Sequence, residues 1–180
     1  MGALAADESL ITTAAFTLVM VLAAVLDLTS RRIPNALTVT AVVAGLVLRV
    51  PLGLDAFFDG LVGTGLALGV TIPLFLVGAL GGGDVKLLGA VGAFMGPERL
   101  AGAGLLIGLV GGVIALMDAI RRGTLRRVLM NTLHLVVGWI SPGRSDLPTT
   151  LTSPSAMTIP YGVPIALGAL VWWFWGGTSL

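Results

Sequence analysis

Two acidic residues lie at the edges of long apolar stretches. Asp27 stands in Val25-Leu26-Asp27-Leu28, and Asp84 in Gly81-Gly82-Gly83-Asp84-Val85-Lys86. A carboxylate at membrane depth is costly and is retained there mostly for function. Two carboxylates that share one proton can activate a water for peptide hydrolysis, because like charges in close contact cannot both ionise. Gly81, Gly82 and Gly83 leave the backbone bare, so another chain can approach it closely. A plainer reading makes the glycine run a turn, with Asp84 capping the next helix and Lys86 reaching to the membrane surface.

The elements that hold these acids follow from composition. Hydrophobic residues make up 56% of the chain and charged residues 11%, against roughly 25% charged in soluble domains. Mean hydropathy is +1.03. These values define an integral membrane protein, and one bundle over residues 1–180 is the simplest domain plan. The chain has no cysteine, and His134 is its one histidine. Disulfides, a thiol nucleophile, thiolate metal sites and a multi-histidine metal site are therefore excluded. No metal or other cofactor is expected. The first residues, with Asp7 and Glu8, lack the basic start of a secretory leader, so the first apolar segment is expected to stay as a membrane helix.

Apolar segments near the length of a bilayer crossing, about 20 residues, mark the spans. The first runs from about Leu10 to Leu28 and holds Asp27 at its end. A basic turn, Thr29-Ser30-Arg31-Arg32-Ile33-Pro34-Asn35, follows, with Pro34 suited to the first turn of the next helix. The second span runs from about Asn35 to Val50, and a loop from Pro51 to Asp59 carries Asp55 and Asp59. The third is about Gly60 to Leu80, with Pro73 a candidate kink. The fourth starts at Asp84 and ends near Met95-Gly96-Pro97; the fifth runs from about Leu100 to Asp118. Residues 119–158 form a loop, in which Leu125 to Ile140 reads as an amphipathic helix lying at the membrane surface. The last span is about Ile159 to Trp175, and Trp172, Trp173 and Trp175 suit an interfacial belt. The expected fold is thus all-α: about six transmembrane helices plus one interfacial helix.

Six spans put eight of the ten basic residues on one side, leaving Arg49 and Arg99 on the other. The positive-inside rule makes the first side cytoplasmic, with both termini outside. Asp27 closes the first span and Asp84 opens the fourth, both at the cytoplasmic end, so they share one depth and can meet if their helices touch. Helix-end dipoles would hold the shared proton mainly on Asp27, at a C-terminal end, and leave Asp84, at an N-terminal end, the more ionised partner.

Asp27 followed by Arg31-Arg32-Ile33-Pro34-Asn35, then Gly81-Gly82-Gly83-Asp84-Val85-Lys86-Leu87, resembles the type IV prepilin peptidases, which are GxGD-type intramembrane aspartic proteases. Ile159-Pro160-Tyr161-Gly162 at the last span resembles the same family. The resemblance covers about Leu10 to Trp175. It implies that Asp27 and Asp84 are a catalytic pair cutting leader peptides from prepilin-like precursors at the cytoplasmic face of the inner (plasma) membrane. It also implies site-shaping positions at Gly81, Gly82, Gly83, Lys86, Arg32, Pro34, Asn35 and Tyr161. Many larger members carry a cysteine-paired zinc insert and also methylate the new N-terminus. This chain has no cysteine, so methyltransferase activity is not expected. Its small size resembles the tight-adherence (Flp) pilus peptidases or the preflagellin peptidases.

Lys86 has two readings: an amine that holds a nearby carboxylate ionised, or one that reaches for the surface. Two rival functions also stand, a proton-coupled small transporter or channel and a non-catalytic subunit of a secretion or pilus system. Expected partners are pilin-like precursors and the lipid bilayer, not nucleic acid. The substrate, the scissile bond and the oligomeric state are not legible.

Overall fold

The computed structural model describes residues 2–76, 78–126, 130 and 161–176. They form helices α1 (Gly2–Ser30), α2 (Asn35–Val47), α3 (Leu54–Leu76), α4 (Gly82–Arg121) and α5 (Gly162–Trp175), with a 3-10 turn at Val50–Leu52 between α2 and α3. The first, second, third and fourth of these regions are long and apolar enough to cross a membrane, and α5 is a shorter apolar helix. Leu18, Val39, Leu66, Leu105 and Leu109 are among the many exposed aliphatic side chains, as a lipid-facing surface requires.

Helix ends follow local chemistry. At the end of α1 the hydroxyls of Thr29 and Ser30 donate to Val25 O and Leu26 O, at 2.8 and 3.0 Å. The backbone N–H of Arg31 donates to Asp27 O at 2.9 Å. Arg31 takes φ 51°, the left-handed geometry that stops a helix. Pro34 is the extended N-cap residue of α2, one position earlier than expected. The loop expected from Pro51 to Asp59 is a correction: α3 already begins at Leu54 and carries Asp55 in its first turn. Acids are favoured at a helix N-terminus, so Asp55 and Asp59 do not mark loop. Val77 lies outside the described residues, and α3 ends at Leu76 rather than Leu80.

Helix α4 has 40 residues but is broken at Gly96, where φ is 72° and ψ 179°. A straight helix of that length would measure about 60 Å, twice the hydrocarbon core. The contacts show instead that the chain turns back. Before the break, Gly92 lies on Gly63 and Gly89 on Leu68 of α3. After it, Gly102 faces Trp172, Ile107 faces Gly168, and Gly111 faces Pro164 and Tyr161 of α5. Gly111 and Asp84 would be about 40 Å apart along a straight helix, yet both lie near the start of α5. The two arms are therefore a hairpin, as expected from Met95-Gly96-Pro97. Counting the arms separately gives six helical segments among the described residues; four regions reach crossing length.

Glycine sets the interhelical distances. At Gly63 and Gly92 an added methyl would collide with backbone of the facing helix, the close approach on which membrane helix packing depends. The core joins α1, α4 and α5 through Phe16, stacked on Trp173 at 4.5 Å and tilted against Phe94 at 5.3 Å between ring centroids. The amphipathic helix expected at Leu125 to Ile140, with Arg127, Asn131 and His134, lies outside the described residues apart from 125, 126 and 130.

Candidate functional site

Asp27 is on the last turn of α1 and is buried at 5% exposure. Its Oδ2 accepts a 2.7 Å hydrogen bond from the backbone N–H of Gly162, the first residue of α5. The contact leaves no space for a side chain at 162: a Cβ there would lie 2.8 Å from Asp27 Oδ2. The first four N–H groups of a helix have no partner within the helix, and a carboxylate is a favourable one. Tyr161 is the N-cap residue of α5, and its ring lies over Gly111.

Asp84 is on the first turn of α4 and is half-buried. Its Oδ2 accepts the Gly81 N–H at 3.1 Å. The plainer expectation of a capping aspartate is thus met, but the same carboxyl also lies within electrostatic reach of Asp27. Both carboxylates therefore sit at helix N-termini, Asp84 at its own helix and Asp27 at α5.

The turn after α1 docks onto the glycine turn before α4. Ile33 is buried, and a Cβ at Gly83 would lie 3.2 Å from Ile33 Cβ. Gly82 faces the ring of Phe75, and Gly81 abuts the Asp84 carboxylate. Lys86 Nζ donates to Asn35 Oδ1 at 2.7 Å, so its partner is an amide at the start of α2. Arg32 and Pro34 are exposed in the turn. The structure thus gathers Asp27, Asp84, Gly81, Gly82, Gly83, Lys86, Pro34, Asn35 and Tyr161 around one end of the bundle. Two further positions, Gly162 and Ile33, stand inside motifs quoted above but are not named there as site residues. Their signals are a glycine opening the last span and one large apolar residue inside a basic turn.

The opposite end is organised by the two other arginines. Arg49 donates to Phe94 O through Nε and Nη2, at 3.3 and 3.1 Å, and to Ala56 O at 2.8 Å. Phe94 precedes the break at Gly96, where carbonyls lose their helical donors. Arg99 donates to Trp173 O at 3.0 Å and lies over the Trp173 ring at 4.8 Å. Trp173 Nε1 in turn donates to Thr13 Oγ1 at 3.2 Å. Arg49 and Arg99 thus mark the far end of the bundle, as the division of basic residues required.

These features define a multi-pass helical membrane protein with two carboxylates, Asp27 and Asp84, at one end of the bundle and within electrostatic reach of each other. Residues 14–116 match the type IV leader peptidase family, and the chain belongs to that family. The chain is also 33% identical over 107 residues to the prepilin leader peptidase/N-methyltransferase of Myxococcus xanthus (strain DK1622), an alignment covering 56% of this chain and 32% of that protein. The chain thus matches about a third of that relative's length. No solved structure matches it.

Proposed function

We propose that this protein is an aspartic endopeptidase that removes leader peptides from prepilin-like precursors, with Asp27 and Asp84 as the catalytic pair. The observation that carries the reading is that Asp84 at the start of α4 lies within electrostatic reach of Asp27 at the end of α1, in a member of the type IV leader peptidase family. One carboxylate takes a proton from a water held between them. The other donates a proton to the carbonyl oxygen of the scissile peptide bond. The roles then exchange as the amine leaves. Hydrolysis by this route needs no cofactor. Methyl transfer to the new N-terminus is not part of the proposal.

Residues 1–180 act as one catalytic domain in the inner (plasma) membrane. The acid pair opens toward the cytoplasm, with residues 119–158 on that side and the termini on the other. A proton-coupled transporter would hold such acids near the bilayer midplane. Asp84 on the first turn of α4 and Asp27 on the last turn of α1 favour hydrolysis at the membrane edge instead.

The test is co-expression with candidate prepilins, scored by leader removal. Asp27→Asn and Asp84→Asn each lower cleavage by about 10²–10⁴-fold while the proteins insert and melt like the parent. Substantial cleavage by either variant sinks the paired-acid mechanism.

A further inference from the structure

The buried carboxylate of Asp27 is held from outside its own helix. Its Oδ2 accepts the Gly162 N–H at 2.7 Å across 135 positions. A Cβ at 162 would also lie 2.9 Å from Asp27 Cβ and 3.0 Å from its Cγ, so the fit is steric as well as polar. The first turns of α5 also face the second arm of α4: a Cβ on Gly111 would meet Pro164 and Tyr161 at ordinary contact distances. The N-terminus of α5 is thereby wedged between the second arm of α4 and the side chain of Asp27.

From this we infer that Gly162 is a positioning residue for the reaction: its N–H fixes the Asp27 carboxyl through Oδ2. The inference rests on the proposed role of Asp27. Two properties of position 162 are needed together. The missing side chain lets the carboxylate approach the backbone, and the N–H is one that the first turn of a helix leaves without a helical acceptor. The bond therefore orients Asp27 without removing a bond from α5. Among the described residues, Asp84 of α4 lies within electrostatic reach of Asp27, Tyr161 directly precedes Gly162 in the chain, and Lys86 is engaged with Asn35. The hydrogen bond to the Asp27 side chain comes from Gly162.

Three variants of the full chain in lipid bilayers test this with a prepilin substrate. Gly162→Ala adds the colliding methyl. Replacement of Gly162 by glycolic acid, through an α-hydroxy acid tRNA, turns the amide into an ester and deletes the N–H without adding an atom. Gly168→Ala is the packing control, since a Cβ there would lie 2.6 Å from Ile107 Cα, far along α5 from Asp27. Both position-162 variants should lose about 10- to 100-fold in kcat, the size expected when one charge-assisted hydrogen bond is lost, with KM within about twofold of the parent. Gly168→Ala should melt at lower temperature yet keep kcat per folded molecule.

Parental kcat in the ester variant overturns the inference, and so does a rise in KM at constant kcat. Equal kcat loss in Gly168→Ala also overturns it, because general loosening of α5 would then suffice. These outcomes leave the paired-acid reading intact as long as Asp27→Asn is inactive. Cleavage at parental rate by Asp27→Asn removes that reading, and the inference with it.

Discussion

Lys86 and Asn35, 51 positions apart, are joined by a 2.7 Å hydrogen bond from the lysine amine to the asparagine side-chain oxygen. The bond ties the first turns of α4 to the start of α2, beside the contact of Ile33 with Gly83. Two turns that each carry part of the site are thus held as one unit.

The first prediction follows from that tie. Lys86→Met and Asn35→Ala should each slow leader removal about 3- to 10-fold, in keeping with one exposed hydrogen bond. The double variant should be no slower than the slower single one, since both remove the same contact. The pH–rate profile should keep its limbs, because the amine's partner is an amide. A displaced limb in Lys86→Met would restore the reading in which the amine acts on a carboxylate.

Arg49 is expected to matter for stability rather than for chemistry. Its guanidinium serves Phe94 O at the break in α4 and Ala56 O in α3. Arg49→Met takes the guanidinium donor from the Phe94 carbonyl beside the break, which costs about 1–3 kcal/mol. Thermal unfolding in detergent should register the loss, while cleavage per folded molecule at low temperature stays near that of the parent. Unchanged melting would show that water replaces the guanidinium.

Topology gives a third expectation. A cysteine introduced at Ser145, in a chain with no other cysteine, should react with a membrane-impermeant thiol reagent only after the cytoplasmic side is opened. The ground is the placement of eight of the ten basic residues on that side. Labelling from outside intact cells would invert the orientation.

Purified enzyme should also retain full activity in strong chelators, since the proposed chemistry uses two carboxylates and water. Loss of cleavage in chelator, with recovery on adding zinc, would overturn this.

Asp27 and Asp84 are legible in the sequence because hydropathy locates helix ends and because acids are rare beside such apolar stretches. The reversal at Gly96-Pro97 is legible for a similar reason: glycine and proline together interrupt a long apolar run. Sequence alone misplaces the start of α3, because Asp55 and Asp59 look like loop residues although the N-terminus of a helix welcomes acids. Partners made across the bundle are beyond the sequence. Nothing local to Gly162 says that its N–H meets Asp27, or that Lys86 meets Asn35 rather than a carboxylate. Those contacts depend on the folding-back of α4 and the antiparallel packing of α1 on α5, which periodicity does not encode.

The arm of α4 from Gly82 to Gly96 and the 14 residues of α5 are each only about 20 Å long, against a hydrocarbon core of about 30 Å. Both begin at the acid pair. Such hydrophobic mismatch is relieved by thinning the bilayer around short helices, which here would draw headgroups and water down toward Asp27 and Asp84. A leader-bearing precursor could then present its scissile bond while its own apolar segment stays anchored in lipid. Reconstitution in lipids of increasing acyl-chain length should progressively slow cleavage; a rate indifferent to chain length would mean that the bilayer does not deform around these two helices.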